Sequence, residues 1–134
     1  MPLNVEVVSP ERVLYSGEAD MVVCRTTDGE IAFLPGHAPF LGALGIGVVR
    51  SLLPDHGEQA VAVHGGFVEV ANDRVIVLSD VAELAEQIDV ERAQRTLQRA
   101  EERLAENPDD EEAQAASVRA RTRLEVAGAI ERTT

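Results

Sequence analysis

Lysine and tryptophan are absent from this 134-residue chain, cysteine occurs once, and aromatic residues make up only 3%. Every basic residue is arginine, and no function is read from that. The single Cys24 excludes an intramolecular disulfide framework and a multi-cysteine zinc site. It stands in the apolar run 21–24, the setting of a buried structural thiol rather than a reactive one. Positive charge is scarce as well. A net charge of −12 argues against a nucleic-acid backbone and against an anionic membrane surface as partners. No apolar run approaches the length of a membrane span, so no direct membrane insertion is expected. The N-terminus shows neither a basic region nor an apolar signal core, which predicts a soluble, intracellular protein. His37, His56 and His64 lack ligand-like spacing. No metal site, catalytic residue or required cofactor is therefore expected. With Tyr15, Phe33, Phe40 and Phe67 as the only aromatics, the core must consist of Val, Leu, Ala and Ile.

What is present divides into two patterns. Up to about residue 84 the chain alternates with period two and is broken by turn residues. Leu3, Val5 and Val7 alternate with Asn4 and Glu6, and strand-like runs follow at 12–16, 19–25, 40–44, 46–53, 59–64, 67–71 and 74–79. Asp28-Gly29, Asn72-Asp73 and the segment 54–57 read as turns. Gly65-Gly66 reads as a two-residue hairpin loop. Short strands at this spacing indicate a β-sandwich or barrel.

From Asp89 onward the period is helical. Val90, Ala93, Leu97, Ala100 and Leu104 fall on one face, and Asp89 suits the N-cap. Asn107-Pro108 ends this helix. Asp109, with Glu112 three residues on, reads as the capping box of a second helix lined by Ala113, Ala116, Ala120, Leu124 and Ala127. The prediction is an α+β chain: an N-terminal all-β sandwich over 1–84 and a C-terminal antiparallel two-helix hairpin over 85–134. The alanine stripe buries little, so docking of the hairpin should be marginal. Marginal docking suits an element that a ligand or partner can move. A permanently packed tail is the competing reading.

Two stretches are candidates for function. In Leu34-Pro35-Gly36-His37-Ala38-Pro39 the prolines fix φ and Gly36 permits a positive φ, giving a rigid corner expected to hold His37 outward. In the helices, Arg92 and Arg99 share one face and Arg119 and Arg123 another. Folding at 107–108 brings these pairs level, so four guanidinium groups could meet a phosphate chain. Surface ion pairing, for example Glu91 with Arg95, is the alternative. The chain has no phosphate-cradling glycine loop, so a triphosphate held here would not be hydrolysed.

The segments 7–11, Gly29-Glu30-Ile31, Leu34-Pro35-Gly36-His37-Ala38-Pro39 and 65–70, followed by two helices after Asp89, come in an order and spacing that resembles the epsilon subunit of bacterial F-type ATP synthase. The resemblance covers essentially the whole chain. It implies a non-catalytic central-stalk subunit that joins the gamma subunit to the c-subunit rotor ring. It implies a peripheral position on the cytoplasmic face of the bacterial cell membrane. His37, Ala38 and Pro39 would face the stalk, and Asp28, Gly29 and Glu30 the polar loops of the ring. The hairpin would alternate between a form folded on the sandwich and a form extended along gamma to the catalytic-head beta subunit, which restrains ATP hydrolysis.

A narrower match is Ile88-Asp89-Val90-Glu91-Arg92-Ala93, which resembles the Ile/Leu-Asp-x-x-Arg-Ala motif of family members that bind ATP. By this resemblance the nucleotide residues are Glu83, Ile88, Asp89, Arg92, Ala93, Arg99, Arg119 and Arg123, with ATP as a regulatory ligand. An enzyme and a free-standing nucleotide sensor are the other classes considered.

Overall fold

Alternation along the first strand is reproduced in space by a computed structural model that describes residues 2–130. Leu3, Val5 and Val7 of β1 (Leu3–Val8) are buried, while Asn4 is exposed. The strand pairs antiparallel with β2 (Val13–Ala19) and parallel with β7 (Arg74–Leu78). The remaining strands are β3 (Met21–Thr26), β4 (Gly29–Phe33), β5 (Phe40–Leu52), β6 (Glu58–Ala71) and β8 (Ala82–Leu84). The hydrogen-bonded order is β2-β1-β7-β6-β5-β3-β4, with β8 on β6.

This continuous network becomes a two-layer sandwich because β5 and β6, 13 and 14 residues long, belong to both layers. The C-terminal part of β6 pairs with β7 and with the start of β5. Its N-terminal part pairs with β8 and with the end of β5. Between the layers lie Leu3, Val5, Val7, Val68, Val70, Val75 and Val77 from one side and Val22, Cys24, Phe33, Val49, Val61 and Val63 from the other. Cys24 is fully buried, and burial pushes its thiol up to about 12.

Gly65-Gly66 is therefore not the hairpin loop that the dipeptide suggests. A hairpin needs the two flanking runs to pair with each other, but both pair with β5, with Ile46 opposite His64 and Leu44 opposite Gly66. The glycines, at φ 89° and 117°, bend one strand from layer to layer. The glycines of β5 likewise leave that strand unbroken. Asn72 and Asp73, at φ 53° and 59°, form the tight β6–β7 turn.

A short 3-10 turn, Ala85–Gln87, leads to α1 (Val90–Glu106). Asp89 caps α1 by accepting the Arg92 N–H at 3.0 Å. The second helix, α2 (Glu111–Val126), is capped by Asp110, one residue later than the sequence pattern suggests. Asn107 Oδ1 accepts the Asp109 N–H at 3.1 Å, which draws Asp109 into the turn. Asp110 then accepts the Ala113 N–H at 3.0 Å. Glu112 consequently misses the capping-box position. The Ala113 N–H, followed by the Arg103 guanidinium, holds the Asp110 carboxyl below its ordinary range.

Ala93, Ala100, Ala113, Ala120 and Leu124 are buried in the hairpin, whose helices pack on each other. It meets the sandwich mainly through α2, on β5 and β6. That seam consists of Val48, Ala62, Ile88 and Val126, flanked by Ala60, Val90 and Ala127. Thr122 and Val126 are buried beyond the alanine stripe, and Ala116 is only half-buried. Of the hairpin domain assigned to 85–134, residues 131–134 lie outside the described residues.

Candidate functional site

The proline corner is built on the β6–β7 turn. Gly36, at φ 83°, donates its N–H to Asp73 Oδ1 at 2.6 Å, and His37 donates its N–H to Leu34 O at 3.1 Å. The imidazole does not project outward as the loop sequence suggests. It is half-buried, and its ring stands edge-on to Phe33 at 5.0 Å and to Phe40 at 6.5 Å. His37 Nδ1 lies 2.7 Å from the Ala38 carbonyl oxygen and donates to it. An apolar platform beneath the corner outcompetes solvent for the ring. Ala38 and Pro39 remain exposed.

Beside the corner the sheet exposes large apolar side chains that the strand pattern did not single out. Leu41 is 70% exposed, Phe67 55%, Leu78 48% and, on the corner, Leu34 55%. Phe67 stands opposite Leu78 and Ala43 in the ladders, and Leu41 opposite Glu69, so these residues share the outward face. A cleft of about 230 Å³, lined by Val8, Pro10, Gly66, Phe67 and Leu78 among others, lies against them. A contiguous apolar face of this kind marks an interaction surface.

Of Asp28, Gly29 and Glu30, Asp28 lies in the turn between β3 and β4, and Gly29 and Glu30 begin β4. Thr26 Oγ1 fixes the turn by donating to Gly29 O at 2.7 Å and accepting the Asp28 N–H at 3.2 Å. Asp28 and Glu30 are both exposed there, so the segment presents two carboxylates to solvent.

At the joint between sandwich and hairpin, Glu83 of β8 accepts from Arg123 Nε of α2 at 2.6 Å. The same oxygen, Oε1, lies 3.3 Å from His64 Nε2. His64 also feels Arg119; burial and then Arg123 lower its pKa from the ordinary 6.5. Sequence reasoning placed Glu83, Arg119 and Arg123 together but left out His64, since nothing in its neighbours marks the side chain as turned toward a helix 40 or more residues on. Arg92 and Arg99 are exposed on α1, and neither makes an ion pair among the described residues. Ile88 is buried in the seam with the sandwich, Ala93 is buried within the hairpin, and Asp89 is engaged as the cap. Glu91 and Arg95 approach to 4.0 Å, an exposed pair of small energetic weight.

On its other flank α2 is tied by Arg50 to Glu125, and the exposed pair Arg121 and Glu101 joins the two helices at 3.2 Å. Between α2 and β5 remains a cavity of about 290 Å³ whose lining includes Arg25, Ile46, Val48, Arg121 and Thr122. Among the described residues, no group of three or more His, Cys, Asp or Glu side chains could hold a metal ion.

A β-sandwich with an alanine-lined helix hairpin seated on one flank is the class of protein that these features define. Family models match both parts: the ATP synthase delta/epsilon chain β-sandwich domain over residues 2–85, and the long α-helix domain of the same chain over 86–128. The chain belongs to this family. It is 49% identical over 132 residues to the ATP synthase epsilon chain of Thermobifida fusca, covering 96% of this chain and 94% of the relative. It is 46% identical over 131 residues to the epsilon chain of Moorella thermoacetica, covering 96% and 98%. Among solved structures, it is similar to a chain of the Euglena gracilis mitochondrial ATP synthase, OSCP/F1/c-ring, with TM-score 0.69 and 20% identity over 96% of this chain and 78% of that one. It is also similar to a chain of the Tetrahymena thermophila mitochondrial ATP synthase central stalk/c-ring, with TM-score 0.54 and 11% identity over 95% and 97%. At these identities the structural likeness concerns the fold.

Proposed function

We propose that the chain is a non-catalytic rotor component of a proton-translocating F-type ATP synthase. In this reading the sandwich seats on the gamma subunit of the central stalk, and the acidic 28–30 segment points toward the polar loops of the c-subunit ring. The observation that carries the reading is the exposed Leu34, Leu41, Phe67 and Leu78 face beside the Pro35–Pro39 corner. It gives a rigid, apolar seat for a partner, as torque transfer requires. No described helix is long and apolar enough to cross a membrane. The chain would then sit peripherally, on the cytoplasmic face of the bacterial membrane, held by the complex.

The hairpin is the regulatory part. Among the described residues its apolar seam on the sandwich has three buried branched side chains, Val48, Ile88 and Val126, with Val90 partly buried beside them, each contributing at most about 1.5–3 kcal/mol on burial. A seam this small lets a partner draw the helices away along gamma toward the catalytic-head beta subunit, where they restrain ATP hydrolysis. Deleting residues 88–134 is expected to raise ATP hydrolysis by the assembled enzyme severalfold while leaving proton coupling intact. Unchanged hydrolysis would refute the inhibitory role.

ATP is the ligand proposed for the folded form, held by Arg92, Arg99, Arg119 and Arg123, with Glu83 and the 88–93 segment shaping the site. Arg92, Arg99 and Arg119 are free to take phosphate oxygens, since none has an ion-pair partner among the described residues. Calorimetric titration of the full chain with ATP should give saturable heat. Arg92→Ala or Arg119→Ala should weaken binding about tenfold or more, the loss of one charge-assisted contact. Absence of heat at millimolar nucleotide would dismiss the site.

A further inference from the structure

We propose that His64 is a proton-operated latch on the helical hairpin, and that its protonation releases α2 from the sandwich. The latch acts on the hairpin whose movement is proposed above. Its mechanism rests on the geometry of the joint, and the lowered His64 pKa supports its direction.

The His64 side chain is 5% exposed. Its backbone N–H donates to Val81 O at 3.0 Å, which fixes the residue in the sheet. Nε2 faces Glu83 Oε1 at 3.3 Å, so the neutral ring carries its hydrogen there and donates it to the carboxylate. Nδ1 is buried and has no hydrogen-bond partner among the described residues. A second proton can enter only at Nδ1, where no acceptor waits for it.

The charged groups around the ring come from β8, from α2 and from the β7–β8 link, where Asp80 lines the same cleft as His64. Glu83, on β8, favours the imidazolium, whereas Arg123 and Arg119, on α2, oppose it. The favourable partner is already shared, because Arg123 Nε occupies the same Glu83 oxygen at 2.6 Å. Protonation therefore sets three cations around one carboxylate, with the charge placed on a ring that is itself nearly enclosed while Glu83 and Arg123 stay partly exposed.

The strain leaves by the weaker attachment. β8 is laddered to β6 through residues 61–63 and 82–84, so Glu83 stays. The second helix is held by the small apolar seam and a few ion pairs. Its withdrawal removes Arg119 and Arg123 together and hydrates Nδ1. Burial and Arg123 together keep His64 below its ordinary 6.5 in the docked chain. The undocked chain therefore binds the proton more readily, and docking weakens as pH falls below about 6.5.

The test uses the full chain with spin labels on Thr27→Cys and Glu111→Cys, both exposed positions. Cys24, with its thiol pushed up to about 12 and no exposure, stays unlabelled. Between about pH 7.5 and about pH 5.5, the longer-distance population should rise at least about twofold. In a His64→Gln background, which keeps a donor toward Glu83 and cannot charge, it should stay flat. An unchanged distance distribution in the parent, or the same response in His64→Gln, would overturn the latch. Proton NMR of the imidazole gives a readout that does not depend on the variant. A midpoint below 6.5 supports the latch, and one at or above 6.5 overturns it. Because neither readout involves nucleotide hydrolysis, the latch and the inhibitory role stand or fall separately.

Discussion

Alanine at Gly66 is expected to destabilise the sandwich by about 3 kcal/mol or more, lowering the thermal midpoint by roughly 10 °C. Two penalties combine there. The backbone sits at φ 117°, where an L side chain is strained. An added Cβ would also lie 2.1 Å from the Leu78 carbonyl oxygen and 3.0 Å from Ser79 Cα, both backbone atoms with no rotamer to yield. Relief requires β6 and β7 to part where Phe67 opposes Leu78, which disturbs the exposed apolar face as well. Gly65 provides the internal control. At φ 89° its added Cβ meets only the Leu44 oxygen, at 4.0 Å, so alanine there should cost only about 1 kcal/mol. Denaturant unfolding of both variants checks the pair, and equal losses would contradict the steric account.

Phe33→Ala should cost about 3–5 kcal/mol, the range for emptying a buried aromatic site. Phe33 is fully buried and is the largest of the completely enclosed side chains. It is also the surface on which the proline corner is set, with His37 at 5.0 Å and Phe40 at 5.4 Å between ring centroids. Its loss should therefore loosen the corner as well as the core. Phe33→Leu keeps most of the volume and should cost less than about 1.5 kcal/mol. Capture of the gamma subunit under conditions where both variants are folded separates the two effects. Phe33→Ala should bind more weakly than Phe33→Leu, and equal binding would detach the corner from the proposed stalk contact.

The layout of the chain was legible wherever one residue reports on its immediate neighbours. Alternation at Leu3, Val5 and Val7 revealed the first strand, and steps of three and four from Val90 to Leu104 revealed α1. Reading stopped where identity depends on pairing. Gly65-Gly66 has the composition of a hairpin loop, yet which strand its flanks bond to is decided by β5, about 20 residues away. Asp109 and Asp110 are chemically equivalent candidates for one cap, and the Asn107 side chain chooses between them. The imidazole of His37 turns inward because Phe33 and Phe40 happen to lie beneath it, a contact that no local pattern announces. Leu41, Phe67 and Leu78 look like core residues in one dimension, since a strand pattern does not say which face is outside. His64 joins Glu83 and Arg123 only after the helix has folded back. The candidate nucleotide residues came from motif likeness, and the fold places Glu83 and Arg123 in direct contact.

The seating of the hairpin on one helix has a mechanical consequence. α1 holds to the rest of the molecule chiefly through α2 and through the short connection at 85–89. In the proposed release of α2, both helices would swing from that one pivot. Straightened at the Asn107-Pro108 bend, their 17 and 16 residues measure about 50 Å end to end. In the proposed extended form the tail would act as a measuring rod, its reach set by the length of its two helices.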